Sequence, residues 1–365
     1  MATVRRVALS SPVWTSRIEA ALVIRIRWPR HRTQWAAVVA LGILLLYPSQ
    51  ARAEGFGPFP VRNFNPLQQL VLNMPADRAA VLSRGTLDVR LELAETASVF
   101  SEHTPDAAAE MKFETLRNGL FLRYGVTSRL EFGLELPFLY RYTGFMSGMI
   151  QAVERATTGL SPARQALSQV DYTYNVTRSG QQTVHGTKGA IGLGDTMLQL
   201  KYELVKQTSV MPAFSLRTAI KLPTGDKNEF FGSGSPDFGL GVALEKTLTS
   251  RWVVHGNFNA VFPTGRIAGA ALYPTVMGVA AAEYLWTENL SVTMQFDYYT
   301  TPFRNVGLEV FDKGVTEVVA GFSYRFAPQW LWQAYAIENV DFITGGAADF
   351  TLAVLFTYRF GRLMP

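Results

Sequence analysis

Leu290-Ser-Val-Thr-Met-Gln-Phe-Asp-Tyr298 alternates without a break. Leu290, Val292, Met294, Phe296 and Tyr298 are apolar, and Ser291, Thr293, Gln295 and Asp297 are polar. Side chains of a strand point to opposite faces in turn, so this segment has one greasy face and one polar face. The same period recurs outward in both directions. Leu87, Val89, Leu91 and Leu93 alternate with Asp88, Arg90 and Glu92. Leu130, Phe132, Leu134 and Leu136 alternate with Glu131, Gly133 and Glu135. Leu198, Leu200, Tyr202 and Leu204 alternate with Gln199, Lys201 and Glu203, and Phe214 to Leu222 repeats the pattern. Phe350, Leu352, Val354, Phe356, Tyr358 and Phe360 close the chain.

A soluble sandwich shows the same alternation. Three features separate this chain from one. The segments run to about ten to thirteen residues, whereas soluble strands average about five or six. The connections alternate in length: 125–128, 206–210, 248–250, 286–289 and 327–329 are short, while 101–111, 143–191, 224–234, 264–272, 302–313 and 341–347 are long. Aromatics gather beside the short connections, at Tyr124, Trp252, Tyr284, Trp286, Phe326, Trp330, Trp332 and Phe360. Short inner turns, long outer loops and an aromatic girdle mark a barrel in lipid. The fold class expected is all-β: a transmembrane antiparallel up-and-down β-barrel of about twelve strands, within a range of ten to fourteen, over residues 86–360. Residues 361–365 are a tail. Pro137, Pro223, Pro263 and Pro302 are expected where outgoing strands meet their loops, because proline cannot donate to a ladder.

The 365 residues include 34 Lys plus Arg, 29 Asp plus Glu and no Cys. The lack of Cys excludes a disulfide scaffold, a thiol nucleophile and Cys-ligated metal. The formal charge of +5 first suggests nucleic acid or an acidic surface. Eight of the basic residues and one acid lie in residues 1–53. There, an uncharged run of twelve, 35–46, follows Arg25, Arg27, Arg30 and Arg32 and precedes Ala51-Arg52-Ala53. That order is expected of a cleaved secretory signal, and the run is short for a spanning helix. Without residues 1–53 the chain holds 26 basic and 28 acidic residues, net −2, and a nucleic-acid role loses its support. The expected location is the outer membrane of a Gram-negative bacterium, with membrane lipid, the barrel assembly machinery and small solutes as partners and no cofactor.

If the apolar parity faces lipid, the other parity lines a lumen. Its basic candidates are Arg90, Arg117, Arg123, Arg129, Lys201, Arg217, Lys221, Arg325 and Arg359. Its acidic candidates are Asp88, Glu92, Glu131, Glu135, Glu203, Glu245, Glu283, Asp297 and Glu317. Nine against nine excludes a lining of one sign, which would select ions strongly. A balanced set fits either ion pairs that fill and stiffen the barrel or a weakly selective polar path.

Residues 54–85 precede the first strand. Asn65-Pro66 is a helix start, Leu67, Leu70 and Val71 its stripe, and Pro75 its end. The segment, with Phe59, Arg62, Phe64, Leu67 and Leu70, is expected as a plug in the lumen or a periplasmic lid; the residues leave both open. The loop 143–191 is expected to carry helix over 145–168 and a hairpin around Ser179-Gly180, and is the first choice for a ligand-facing or gating element. A barrel hydrolase is the enzyme alternative. His255 has inward parity, with Asp237 or Ser215 as conceivable partners, but no Gly-x-Ser-x-Gly, His-x-x-x-His or metal cluster is visible. Gly192-Leu-Gly-Asp195 is read as the tight turn into a strand and not as a dinucleotide site.

Four stretches carry a resemblance: Gly55-Phe-Gly-Pro-Phe-Pro-Val-Arg-Asn-Phe-Asn-Pro-Leu67, Gly144-Phe-Met-Ser-Gly-Met-Ile-Gln151, Gly192-Leu-Gly-Asp195 and Lys221-Leu-Pro-Thr-Gly-Asp226. They resemble a family of outer-membrane proteins of unknown function. That family is similar in turn to the barrel proteins grouped under the meta-pathway of phenol degradation, and Tyr124 to Pro137 looks typical of both. The resemblance covers nearly all of the chain after the leader and implies a barrel. It also implies, through the phenol-related group, passage of small apolar or aromatic solutes. The chain departs from many such barrels at its end, where Phe360 is followed by Gly-Arg-Leu-Met-Pro. The function expected is a passive channel for small solutes, apolar or aromatic ones among them. The alternative is a non-transporting barrel that acts as a surface binding or envelope structural module through loop 143–191.

Overall fold

The computed structural model describes residues 54–340 and 348–361. The expected leader, the connection 341–347 and most of the tail lie outside them. Twelve long strands form one closed antiparallel sheet. They are β1 Leu87–His103, β2 Ala107–Gly125, β3 Leu130–Tyr142, β4 Thr196–Val205, β5 Ala213–Leu222, β6 Asp237–Thr247, β7 Trp252–Pro263, β8 Thr275–Leu285, β9 Leu290–Tyr299, β10 Val315–Ala327, β11 Trp330–Asn339 and β12 Ala348–Phe360. Each strand pairs with its sequence neighbours, and β1 pairs with β12 from Leu87↔Phe360 to Ser98↔Ala348, which closes the barrel. Closure leaves no free edge at membrane depth, where an unpaired backbone group would cost several kcal/mol.

The alternation decides which side is which. Leu91, Leu93, Leu200, Leu216, Leu240, Phe258, Val292, Met294, Phe296, Leu352 and Phe356 are exposed, while Glu92, Lys201, Arg217, Gln295 and Asp297 are buried. The barrel is thus apolar outside and polar inside, the reverse of a soluble protein. At its inner end, Trp252 packs on Tyr284 with ring centroids 4.9 Å apart, and Trp330 on Tyr358 at 4.6 Å. Such rings favour the interface between lipid and water.

Three expectations need correction. The connection expected at 101–111 is short: β1 has 17 residues and β2 has 19, and only 104–106 joins them. These strands outgrow the others because a hairpin from the long loop, Thr173–Arg178 with Gln181–His185, pairs with the outer half of β2 where β3 has ended. Ser179 and Gly180 turn that hairpin with φ of 47° and 75°, the left-handed pair that a two-residue hairpin requires.

Pro137 is not at a strand end. It lies inside β3, opposite Gly119 of β2. On its other side the ladder with β4 stops at Glu135↔Met197, and β3 next pairs with the short strand Ile191–Leu193, from Phe138↔Leu193. Gly194 N donates to the Pro137 carbonyl at 2.8 Å on that same side. The missing N–H of Pro137 therefore falls in a gap of the ladder. Pro263 is the last residue of β7, and Pro223 and Pro302 follow β5 and β9.

The helix expected after Asn65 is a single 3-10 turn, Gln68–Leu70. Asn65 Oδ1 does cap it, accepting from Leu67 N at 3.0 Å and Gln68 N at 3.1 Å. It goes no further because barrel side chains take the backbone groups that a helix would pair internally. Leu72 N donates to Asp237 and the Leu70 carbonyl accepts from Lys221.

Candidate functional site: the filled lumen

Residues 54–86 run up the lumen, turn, and run down again. Their polar backbone meets the inward side chains in sequence order. At the inner end Phe56 N and Gly57 N donate to Glu283 of β8 at 2.9 and 3.2 Å. Phe59 N then donates to Gln295 Oε1 of β9 at 3.0 Å, and Gln295 Nε2 donates back to the Phe59 carbonyl at 3.2 Å. Arg62 crosses to Glu135 of β3 at 2.5 Å. The apex lies under the outer loops. Gln68 Nε2 donates to the carbonyls of Val310 and Lys313, and the Tyr174 hydroxyl donates to that of Pro66.

The descending leg uses other strands. Asn259 Nδ2 of β7 donates to the Met74 carbonyl at 3.2 Å, and Arg217 of β5 to that of Pro75 at 2.7 Å. Asp77 receives Lys201 of β4 at 2.8 Å and Arg123 of β2 at 3.4 Å. Arg78 pairs with Glu245 of β6 at 2.7 Å. The Ala79 carbonyl accepts from Ser215 Oγ, and Leu82 N donates to Glu131 at 2.8 Å. An extended chain surrounded by lipid-depth walls must have its N–H and C=O groups satisfied, and here the barrel supplies the partners. Burial alone would raise the Asp77 pKa. The charges of Arg123, Lys201 and Arg217 outweigh it and hold the carboxyl well below the ordinary aspartate range.

The wall pairs complete the network. Arg117 bonds both Glu92 and Glu135, Arg359 bonds Asp88 at 2.7 Å, and Lys201 also reaches Glu131 at 3.2 Å. Arg123 bonds Glu131 at 2.8 Å, and Arg90 donates to Thr357 of β12. Glu203 is buried on the inward face of β4. Two expected lining residues sit elsewhere. Arg129 is exposed in the turn before β3, because the strand begins at Leu130. Arg325 lies at the inner rim, donating to Asn289 Oδ1 at 3.1 Å in the adjacent turn. Asp297 and Glu317 face each other in register across β9 and β10. Among the described residues no cation is within ion-pair distance of either; Gln295 donates to Asp297 at 3.0 Å.

The inner half of the lumen is ionic, and the outer half holds an apolar cluster beside the Lys221–Asp195 and Lys221–Asp237 pairs. Leu67, Leu70, Val71, Leu72 and Met74 of the segment pack against Met111, Phe113, Tyr174, Met197, Ile267, Met277, Phe303, Leu308 and Phe311. Phe59, Val61 and Phe64 form a second cluster with Val319, Tyr335, Ile337 and Leu355, and Phe59 stacks on Tyr335 at 4.7 Å. Arg141 of β3 stands between Tyr174 and Phe231, 4.6 and 4.7 Å from the ring centroids. Two small cavities border the segment. One cavity of about 60 Å³ borders Arg62, Leu70, Asp195 and Lys221, and another of about 20 Å³ borders Asn63, Gln68 and Met277. Each is of the order of one or two waters.

His255 is fully buried on β7, with Nε2 3.2 Å from Glu283. Its strand neighbours in register are Glu245 and Ala281. Ser215 spends its hydroxyl on Ala79, and Asp237 pairs with Lys221 at 2.8 Å. The three residues of the hydrolase alternative are thus engaged separately.

Sequence reasoning missed Asp77, Arg78, Asn259, Gln295 and Asp195 as anchors, and also Asn257, whose Nδ2 donates to the Asp77 carbonyl at 3.0 Å. The wall amides were legible as inward-parity polar residues on strands, but only charged residues were weighed. Two of the resemblance motifs prove to be one node. Asp195 lies 3.0 Å from Lys221 Nζ and accepts from Gly225 N at 3.0 Å, and Thr224 Oγ1 donates to the Gly194 carbonyl.

A family model described as a protein of unknown function, DUF3187, matches residues 36–360. The chain belongs to the DUF3187 family. No curated protein matches this chain in a sequence comparison. Among solved structures, the COG4313 outer membrane channel from Pseudomonas putida F1 is similar at 14% identity and a TM-score of 0.52, over 77% of this chain and 98% of that chain. The CymD monoaromatic hydrocarbon channel is similar at 12% identity and a TM-score of 0.40, over 77% and 90%. The Ralstonia pickettii toluene transporter TbuX is similar at 11% identity and a TM-score of 0.39, over 83% and 100%. The first likeness places this DUF3187 chain in the fold of an outer-membrane barrel.

Proposed function

We propose that this chain is a plugged outer-membrane channel for small solutes, with apolar and aromatic molecules the favoured class. The observation that carries this reading is the two-leg segment 54–86 held inside a complete barrel by non-covalent bonds alone. A wall of twelve strands already closes by itself. A segment threaded through it adds a removable stopper. The apolar cluster in the outer half supports the solute class, because it offers aromatic and aliphatic contact near the outer mouth. The fold is shared with a protein described as an outer membrane channel. The resemblance to the phenol-related barrels points the same way.

On this reading the described state is closed, and the lining residues Arg117, Glu135, Lys201, Arg217 and Lys221 act first as sockets for the plug. A leader at 1–53 would deliver the chain through export, and loop 143–191 would face outside. The test is reconstitution in planar bilayers and liposomes, with residues 54–80 present and deleted. The expected result is low conductance for the full chain and a large rise on deletion. Absence of both conductance and solute flux in the two forms would overturn the proposal.

One observation favours a second reading, the non-transporting barrel with loop 143–191 as its working surface. The two cavities that border the segment inside the lumen hold about 60 and 20 Å³, too little for a solute larger than a few waters. Deleting the loop would then change partner binding or envelope integrity, while deleting the segment would leave permeability unaltered.

A further inference from the structure

The long loop after β3 does not arch over the mouth with its helices. It folds them back onto the outside of the wall. Its helices are α1 Met146–Thr157 and α2 Pro162–Ala166. Arg117 faces the lumen, so Glu114, three residues along an unbroken strand, faces out. Glu114 is nevertheless buried, because it accepts Met146 N at 3.1 Å and Ser147 N at 2.8 Å. Lys112, also outward, donates to the Leu167 carbonyl at 2.8 Å. Arg164 of α2 is buried between Glu154 of α1 and Asp349, which sits at the bulge of β12.

α1 keeps an apolar stripe on the side turned away from the wall. Met146, which is buried, and Ser147, Ile150, Gln151 and Glu154, which are half-buried, share the face turned toward the wall. Phe145, Met149 and Val153, four residues apart and hence on one stripe, point away and are 66%, 42% and 58% exposed. A helix covering a protein from water turns polar residues outward. The barrel wall likewise turns apolar residues outward, where it meets lipid.

The level of α1 agrees. In register, the α1 contact Glu114 stands opposite Ala97 of β1, and the α2 contact Asp349 lies in the bulge beside Ala97 and Ser98. The inner girdle lies at the Leu87↔Phe360 and Leu87↔Tyr124 pairs. Ten residues at about 3.3 Å, tilted by about 40°, rise about 25 Å, which is the height of the apolar band of such barrels. The outward residues Phe138, Tyr140 and Tyr142 of β3 lead directly into Phe145, so the stripe continues the lipid-facing surface.

We propose that α1 is an interfacial helix whose Phe145–Met149–Val153 stripe is inserted among the acyl chains of the outer leaflet, which anchors loop 143–195 to the membrane. This rests on the barrel spanning a bilayer and not on its being a channel. The chain has no Cys, so a single nitroxide can be placed without other changes. Met149→Cys, labelled in the full chain reconstituted in lipid bilayers, should collide severalfold more with dissolved oxygen than with a water-soluble nickel chelate. Gln151→Cys on the wall side should be poorly reached by both. Val153→Cys repeats the test should Met149→Cys fail to fold. Dominant nickel access would overturn the proposal, as would dipolar broadening that disappears on dilution with unlabelled chain, since the occupant would then be a second copy.

Discussion

Arg62 of the lumen segment lies 2.5 Å from Glu135, whose carboxylate is shared with Arg117 of the wall. The segment is therefore tied into a network that exists without it, because Arg117 also holds Glu92. Arg62→Ala should leave the barrel folded and loosen the plug. Glu135 keeps Arg117 after the substitution, so the cost stays below that of leaving a buried charge unpaired, about 3–5 kcal/mol. Single-channel recordings should show openings that the parent chain lacks, with little change in the thermal unfolding of the barrel.

Asp77 gives a prediction about pH. Its carboxyl is held below the ordinary value of about 3.9 by Arg123, Lys201 and Arg217. A depressed folded pKa adds stability that is fully present above the unfolded value and is lost as pH falls through the folded one. Hydrogen exchange of residues 72–82 should accordingly stay constant from about pH 8 to about pH 5, once corrected for intrinsic rates, and rise only well into acid. Asp77→Asn should raise it already at neutral pH.

Phe296 is exposed in the middle of β9, and Trp286 is exposed in the turn before it. Arg at a lipid-facing midplane position costs about 2–4 kcal/mol, falling to about 0–1 near the interface. Phe296→Arg should therefore lower the denaturant midpoint in lipid much more than Trp286→Arg.

Pro137 tests the reading of the ladder gap. Its missing N–H faces Gly194, where β3 and β4 are not paired. Pro137→Ala should change stability by no more than about 0.5 kcal/mol, the range of changes that disturb no specific feature. A proline placed at the neighbouring Leu136, paired with Leu120, should be far more damaging.

Arg164 holds the folded-back loop through Glu154 and Asp349. Arg164→Ala should expose residues 143–170 to limited proteolysis while the barrel strands remain resistant.

Much of this was legible because a strand writes its two environments in alternate letters. Leu290 to Tyr298 has the pattern, and the strands it predicts pair in register from Leu290↔Tyr324 to Tyr299↔Val315. Turn lengths and the Trp252, Trp286 and Trp330 girdle added orientation. The segment before β1 was not legible to the same degree. Phe59, Arg62, Asn65 and Gln68 follow neither the strand period of two nor the helical period of 3.6, and their partners, Gln295, Glu135 and the Val310 carbonyl, are far away in the chain.

Sequence alone determined the barrel, its apolar outside and its balanced polar inside. These follow from local alternation and hold whatever each strand touches. Only the tertiary structure decided that the lumen is filled, that residues 54–86 fill it, and that the helix after β3 lies outside the wall. Those depend on which distant groups meet: Asp77 with Lys201, Lys221 with both Asp195 and the Leu70 carbonyl, Glu114 with the first amides of α1. Long-range pairing of buried polar groups is set by three-dimensional closure, and a linear pattern does not encode it.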